Sequence, residues 1–174
     1  MSSKKTWIIV GLVLAAAMLR IIPHPPNFAP VAAMALFAGA HLADKRIAFL
    51  LPLVAMGLSD IFIGFHDGIV LVYVCMCIAV AIGMQLRGKI GALSVAGGAL
   101  LSAVVFFVVT NFGVWLTSGM YPLTAGGLVA CYVAAIPFFQ YTVAGNLFFA
   151  AMLFGGYALI ETRVPSLRGA VNSA

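Results

Sequence analysis

The chain has 174 residues, of which 64% are hydrophobic and 7% are charged, and its formal net charge is +5. A soluble domain carries about 25% charged residues, so this composition excludes a soluble globular protein. Apolar runs repeatedly approach the ~20 residues that a membrane helix needs. No hydrophilic stretch is long enough to fold alone, so we predict one integral membrane domain over residues 1–174.

The first apolar run predicts a helix over residues 7–22. Trp7 follows the basic pair Lys4 and Lys5, an arrangement typical of an interfacial anchor at the cytoplasmic side. The same run has the general form of a signal peptide. We favour an uncleaved helix, because a proline-rich stretch and further apolar spans follow directly.

Residues 20–30, which we name the proline segment, interrupt the apolar pattern with the sequence RIIPHPPNFAP. Its prolines fix φ and remove backbone donors, so no regular helix passes through it. The segment also holds the polar residues Arg20, His24 and Asn27. It is therefore either a boundary between two helices or part of a site.

The whole pattern predicts an all-α, polytopic membrane protein with six transmembrane helices. The predicted helices cover residues 7–22, 30–43, 47–65, 69–86, 92–116 and 141–160. Residues 128–138 are apolar but too short to cross, and they include Pro137 near their end. We expect them to form a short re-entrant or interfacial helix before the last span.

The basic residues predict how the helices are oriented in the membrane. With six spans and a cytoplasmic N-terminus, every Lys and Arg except Arg20 falls on the cytoplasmic side. That distribution obeys the positive-inside rule, and it places both termini in the cytoplasm. The positive charge therefore reflects topology, and we predict no nucleic-acid partner.

The same topology gathers polar residues from several helices at the outer side. Arg20 and Asp60 lie about one turn inside the outer ends of their helices, so they are expected to pair. The pair is either a structural tie or part of a ligand site. The candidate substrate-binding residues are Arg20, His24, Asn27, Asp60, His66, Asn111, Trp115, Tyr132 and Asn146.

Small residues spaced four apart let helices approach closely. Such pairs are Gly11 with Ala15 and Ala35 with Gly39. They serve either packing inside the bundle or docking of a partner protein.

No catalytic signature or metal-ligand spacing is present in the sequence. Cys75 and Cys77 point about 200° apart on a helix, so they cannot hold one metal together. The sequence therefore predicts no enzyme, no metal and no cofactor.

Several motifs carry a family resemblance. They are RIIPHPPNFAP at 20–30, AGA at 38–40, LSDIFIGFH at 58–66, TNFGVW at 110–115 and ACYVAAIPFF at 130–139. This pattern resembles a family of uncharacterised bacterial inner-membrane proteins. That family is in turn similar to the substrate-binding S components of energy-coupling-factor (ECF) vitamin transporters.

The resemblance implies a small six-helix binder in the bacterial inner membrane, with its ligand at the outer face. It also implies a transmembrane coupling protein and two cytoplasmic ATPases as partners, contacted through small-residue faces such as that of Gly11 and Ala15. The expected function is uptake of a small vitamin-like molecule. The alternatives are a structural or assembly protein without a ligand, and a solitary corrinoid transporter in which Cys75 or Cys77 meets the cobalt.

Overall fold

The computed structural model describes residues 3–65 and 67–164, and these ranges contain six α-helices and no β-strand. The helices are α1 Ser3–Leu19, α2 Val31–His41, α3 Lys45–Ile63, α4 Ile69–Gln85, α5 Ala92–Thr117 and α6 Ala125–Arg163. The predicted all-α class is confirmed for this part of the chain. His66, a predicted site residue, lies outside the described residues.

Polar residues and glycines set the ends of α3. The Asp44 carboxylate accepts hydrogen bonds from the backbone N–H groups of Arg46 (2.7 Å) and Ile47 (3.4 Å). It thereby satisfies donors that the first turn of a helix leaves without a partner. At the other end, Gly64 stops the helix with a φ of 97°, which residues with a Cβ rarely adopt.

The prediction for the last span was wrong, because residues 128–138 and 141–160 belong to one helix. Helix α6 is continuous over 39 residues and contains Pro137. A proline removes only its own N–H and disturbs one turn, which neighbouring helices can compensate in a membrane protein. Here α5 runs beside both halves of α6. Tyr132 donates to the Val108 carbonyl (2.7 Å), and Asn146 donates to the Ala99 carbonyl (3.3 Å).

Three of the described helices are long and apolar enough to cross a membrane: α3, α5 and α6. Helix α2 has 11 residues and therefore spans about 16 Å, roughly half of the ~30 Å hydrocarbon core. The predicted helix over 30–43 is thus too short to be a complete span. The chain has membrane-type helices, but six full spans are more than these lengths support.

Helix α2 lies at the centre of the bundle. All its residues from 33 to 40 are buried, and it contacts every other helix. Its closest approach is to α4, where two glycines face the opposite backbone. A Cβ on Gly39 would lie 2.2 Å from the Val80 carbonyl oxygen, and one on Gly83 would lie 2.1 Å from that of Leu36. The two helices pack together only because both positions lack a side chain.

Charged groups fix one end of the bundle. The Arg87 guanidinium donates to the carbonyl oxygens of Gly39 (2.9 Å) and Leu42 (2.6 Å) at the C-terminus of α2. These carbonyls have no partner within the helix, so Arg87 takes the place of a cap. Lys5 and Glu161 pair at 2.8 Å and join α1 to α6 at the same end.

Replacing Gly83 by Ala should destabilise the fold, because the new methyl group would clash with backbone that cannot rotate away. Overpacking of this kind costs about 1–3 kcal/mol. We expect a lower midpoint for thermal unfolding in detergent. Gly97→Ala is the matched control, since a Cβ at that helical position meets nothing within 4 Å. Equal unfolding midpoints for the two variants would contradict this account of the contact between α2 and α4.

Candidate functional site

The predicted pair of Arg20 and Asp60 is confirmed. The Arg20 Nη1 atom lies 2.9 Å from Asp60 Oδ1, and the side chains are 9% and 0% exposed. Arg20 directly follows α1, and Asp60 lies in the last turn of α3. The same Nη1 donates to the Ser59 hydroxyl and to the Met56 carbonyl oxygen (3.4 Å). One guanidinium nitrogen therefore ties the outer end of α1 to three groups of α3.

The Asp60 carboxylate is held from two sides. Tyr73 of α4 donates its hydroxyl to Oδ2 at 2.9 Å. Oδ1 faces Arg20 at ion-pair distance, yet among the described residues it has no hydrogen bond of directed geometry. The contact between Arg20 and Oδ1 is therefore mainly electrostatic. The sequence analysis missed Tyr73, although a phenol near the start of α4 lies at the depth of Asp60 at the end of α3.

The proline segment is anchored by Phe28. The Phe28 ring packs at 5.7 Å and 5.5 Å from the rings of Phe148 and Phe149. Its backbone lies against Gly145, where a Cβ would come within 3.1 Å of the Phe28 Cα. Asn27, just before it, has a φ of 65°, a conformation that asparagine tolerates better than most residues. The segment is thus fixed against the middle of α6.

A wide cavity of about 790 Å³ opens between the proline segment, the start of α4, the C-terminal part of α5 and the middle of α6. Polar groups of the described residues that line it include Asn27, Asp67, Thr110, Asn111, Thr117, Ser118 and Thr142. The aromatic rings of Phe106, Phe107, Phe138 and Phe139 also contribute to its wall.

A second, smaller cavity of about 270 Å³ lies next to it, and we name it the deep cavity because the buried residues Met56, Thr142 and Asn146 line it. Among the described residues, its polar lining consists of Arg20, His24, Asn27, Thr142 and Asn146, and the others that line it are apolar. The two cavities share the residues Asn27, Val72, Phe106 and Thr142. They therefore form two adjoining compartments along one path into the bundle.

Five of the predicted site residues line these compartments. Arg20, His24 and Asn146 line the deep cavity, Asn111 lines the wide one, and Asn27 lines both. Asn111 donates to the Phe107 carbonyl at 2.7 Å, and Asn146 is 3% exposed. Residues far apart in sequence thus meet around a common space.

Three other predicted residues have structural partners and do not line either cavity. Asp60 is buried behind Arg20. Trp115 donates its indole N–H to the Pro122 carbonyl oxygen (3.0 Å), and Tyr132 donates its hydroxyl to the Val108 carbonyl oxygen (2.7 Å). The two aromatic residues stabilise the hairpin of α5 and α6.

The residues predicted to dock a partner fall into two groups. Gly11 and Ala15 are exposed on α1. Ala35 and Gly39 are buried inside the bundle, with Gly39 against α4, so they cannot contact a partner protein. The small side chains of α2 serve internal packing, because this helix is surrounded by the other five.

Sequence reasoning missed several cavity residues. The clearest is Thr142, which lies four residues before Asn146 and thus on the same face of α6. That spacing could have been read from the sequence. Leu71, Val72 and Phe106 gave no signal, because an apolar residue that faces a cavity looks like one that faces lipid.

Removing only one charge of the Arg20–Asp60 pair should be more harmful than removing both. Asp60→Leu leaves a buried guanidinium unpaired, which costs about 3–5 kcal/mol. Adding Arg20→Met should recover more than half of that loss in the free energy of unfolding. The comparison pair is Lys5–Glu161, whose side chains are 19% and 34% exposed. Breaking it should cost at most about 1 kcal/mol. Purely additive losses at Arg20 and Asp60 would contradict their coupling.

Comparison with known proteins gives one match. Residues 1–167 match a protein family of unknown function, DUF6580. No curated protein and no solved structure matches the chain. Since the match extends over nearly the whole sequence, the chain belongs to the DUF6580 family.

Proposed function

We propose that the protein is a membrane-embedded substrate-binding component for uptake of a small vitamin-like molecule, which it binds at the outer face. One observation carries the proposal. The wide and deep cavities adjoin, and polar side chains from the proline segment, α5 and α6 converge on them. A bundle that served only as a structural element would gain nothing from such a space.

The properties of the cavities suit a small organic ligand. Small-molecule sites commonly enclose about 300–1,000 Å³ and combine apolar walls with a few polar groups. The wide cavity of 790 Å³ falls in that range, and its rings from α5 and α6 offer flat surfaces to an aromatic compound. Arg20 and Asn146, deeper in the bundle, supply polar contacts for one end of the molecule.

The proposed topology follows from charge and helix length. The end of the bundle opposite Arg20 holds the basic residues Lys5, Lys45, Arg46, Arg87 and Arg163. We assign this basic end to the cytoplasmic side. Helix α2 then rises only about halfway through the membrane. The proline segment occupies the outer half of the membrane thickness that α2 does not reach, so it forms a rigid wall beside the ligand.

Transport needs a source of energy, for which the described residues offer no nucleotide site. The resemblance to S components of ECF transporters supports a coupling protein and ATPases as partners. The exposed small residues Gly11 and Ala15 of α1 give such a protein a close approach.

Two alternatives are less well supported. A purely structural role would be expected to close the polar cluster without a void, whereas Arg20 borders a cavity. A solitary corrinoid transporter would need a thiol near its ligand. Cys75 and Cys131 are buried and Cys77 is half-buried, and none of the three is among the described residues that line either cavity.

The proposal predicts a bound molecule that depends on the wide cavity. Ala135 lines that cavity, so Ala135→Trp should fill part of it. We expect the amount of a small molecule retained through purification in mild detergent to fall at least tenfold. Mass spectrometry of the extracted compounds measures this loss.

Ala134→Trp is the matched control, because Ala134 is exposed and is not among the residues that line the cavity. It should retain the molecule at the wild-type level, and both variants should unfold within a few degrees of wild type. A compound lost equally from both variants, or from neither, would contradict binding in this cavity.

A further inference from the structure

The Arg20 guanidinium uses only part of its hydrogen-bonding capacity. It carries five N–H donors, two of them on Nη1. Within the described part of the chain, every side-chain contact of Arg20 runs through Nη1, to Asp60, Ser59 and the Met56 carbonyl oxygen. The N–H donors of Nε and Nη2 have no hydrogen-bond partner among the described residues, although the side chain is only 9% exposed. Among the described residues, Asp60 Oδ1 is the one buried side-chain N or O atom without a hydrogen bond, so these Arg20 donors are open at the cavity wall and a ligand in the deep cavity can reach them.

The deep cavity offers acceptors as well as donors. Asn146 uses one of its two amide N–H groups to donate to the Ala99 carbonyl oxygen, and its own carbonyl oxygen remains available as an acceptor. Thr142 likewise donates its hydroxyl to the Phe138 carbonyl (3.4 Å) and keeps its oxygen lone pairs. Both residues are at least nine-tenths buried, at 3% and 5% exposure. A group that both accepts and donates hydrogen bonds would satisfy this lining.

The charge of Arg20 is already balanced. Asp60 lies directly behind it with no exposed surface, and Tyr73 holds the other carboxylate oxygen. A carboxylate brought into the deep cavity would lose its hydration and would meet a guanidinium whose charge is neutralised. An uncharged polar group avoids that cost.

We propose that the deep cavity recognises an uncharged carboxamide- or lactam-type group of the ligand. Its carbonyl oxygen accepts from Arg20, and its N–H donates to Asn146. The apolar or aromatic body of the ligand occupies the wide cavity. This inference rests on the proposed function, and it names the class of substrate: neutral amides and lactams of small ring compounds, to the exclusion of their carboxylate analogues.

The test compares probes that share a ring and differ in one group. Suitable pairs are nicotinamide with nicotinate, benzamide with benzoate, and indole-3-acetamide with indole-3-acetate. Binding to the full chain in phosphatidylcholine nanodiscs is measured by calorimetry at pH 7.5. We expect the amide to bind at least tenfold more tightly than the carboxylate in at least one pair. Equal behaviour within every pair, including no binding by either member, would overturn the inference, as would a preference for carboxylates.

Variants of the lining sharpen this test. Asn146→Leu should weaken binding of the preferred amide at least tenfold, because the acceptor is lost. Ser102→Ala is the control, since Ser102 is a buried residue of α5 whose hydroxyl bonds to the Gly98 carbonyl oxygen and which is not among the lining residues. If both variants bind the amide as wild type does, the amide lies elsewhere and the assignment fails.

The natural ligand distinguishes this inference from the proposed function. A molecule that is retained by wild type and lost from Ala135→Trp supports the function whatever its charge. If that molecule carries a carboxylate or a phosphate at its polar end, only the present inference is overturned. If it is a neutral amide or lactam, both are supported.

Discussion

A buried ion pair, Arg20 with Asp60, determines how the half of the molecule that contains the proline segment is arranged. Ions lose several kcal/mol of hydration when they leave water, and the loss is recovered only when they meet in good geometry with further hydrogen bonds. Ser59, the Met56 carbonyl oxygen and Tyr73 supply those bonds. The end of α1 is therefore fixed beside α3 and α4. The proline segment starts from this point, so its path depends on the pair.

The length of α2 has an equally direct consequence. Eleven residues cannot cross a bilayer, so α2 fills the centre of the bundle only in the half that contains Arg87. On that side, glycines bring α2 and α4 into backbone contact, and Arg87 closes the end of α2. On the other side, the proline segment replaces helix. Stiff loop packs less completely than helix does, and the space left beside it is the pair of cavities.

Together these features separate the molecule into two functional halves. The half that contains the C-terminus of α2 is tightly packed and carries most of the positive charge. The other half contains the cavities, and its polar groups come from the proline segment and from helices that the ion pair and Phe28 hold in place. A binding protein needs both properties, because a ligand is recognised best by groups that are already positioned before it arrives. The same division accounts for the proposed neutral ligand, since Arg20, which borders the deep cavity through a buried side chain, already has its counterion.

The sequence by itself determined the class of the protein, the existence of most helices and the residues worth examining. Hydrophobic length and charge distribution are local properties, so the all-α class, the break between the helices at Asp44 and the pairing of Arg20 with Asp60 could be predicted from them. Only the tertiary structure decided the rest. Packing against α5 keeps α6 continuous at Pro137. Helix α2 is short and is buried on all sides at the centre of the bundle. The cavities depend on distances between residues such as Asn27, Asn111 and Asn146, which no local pattern contains. An apolar residue at a cavity wall and one facing lipid look alike in sequence, because both satisfy the same hydrophobic requirement.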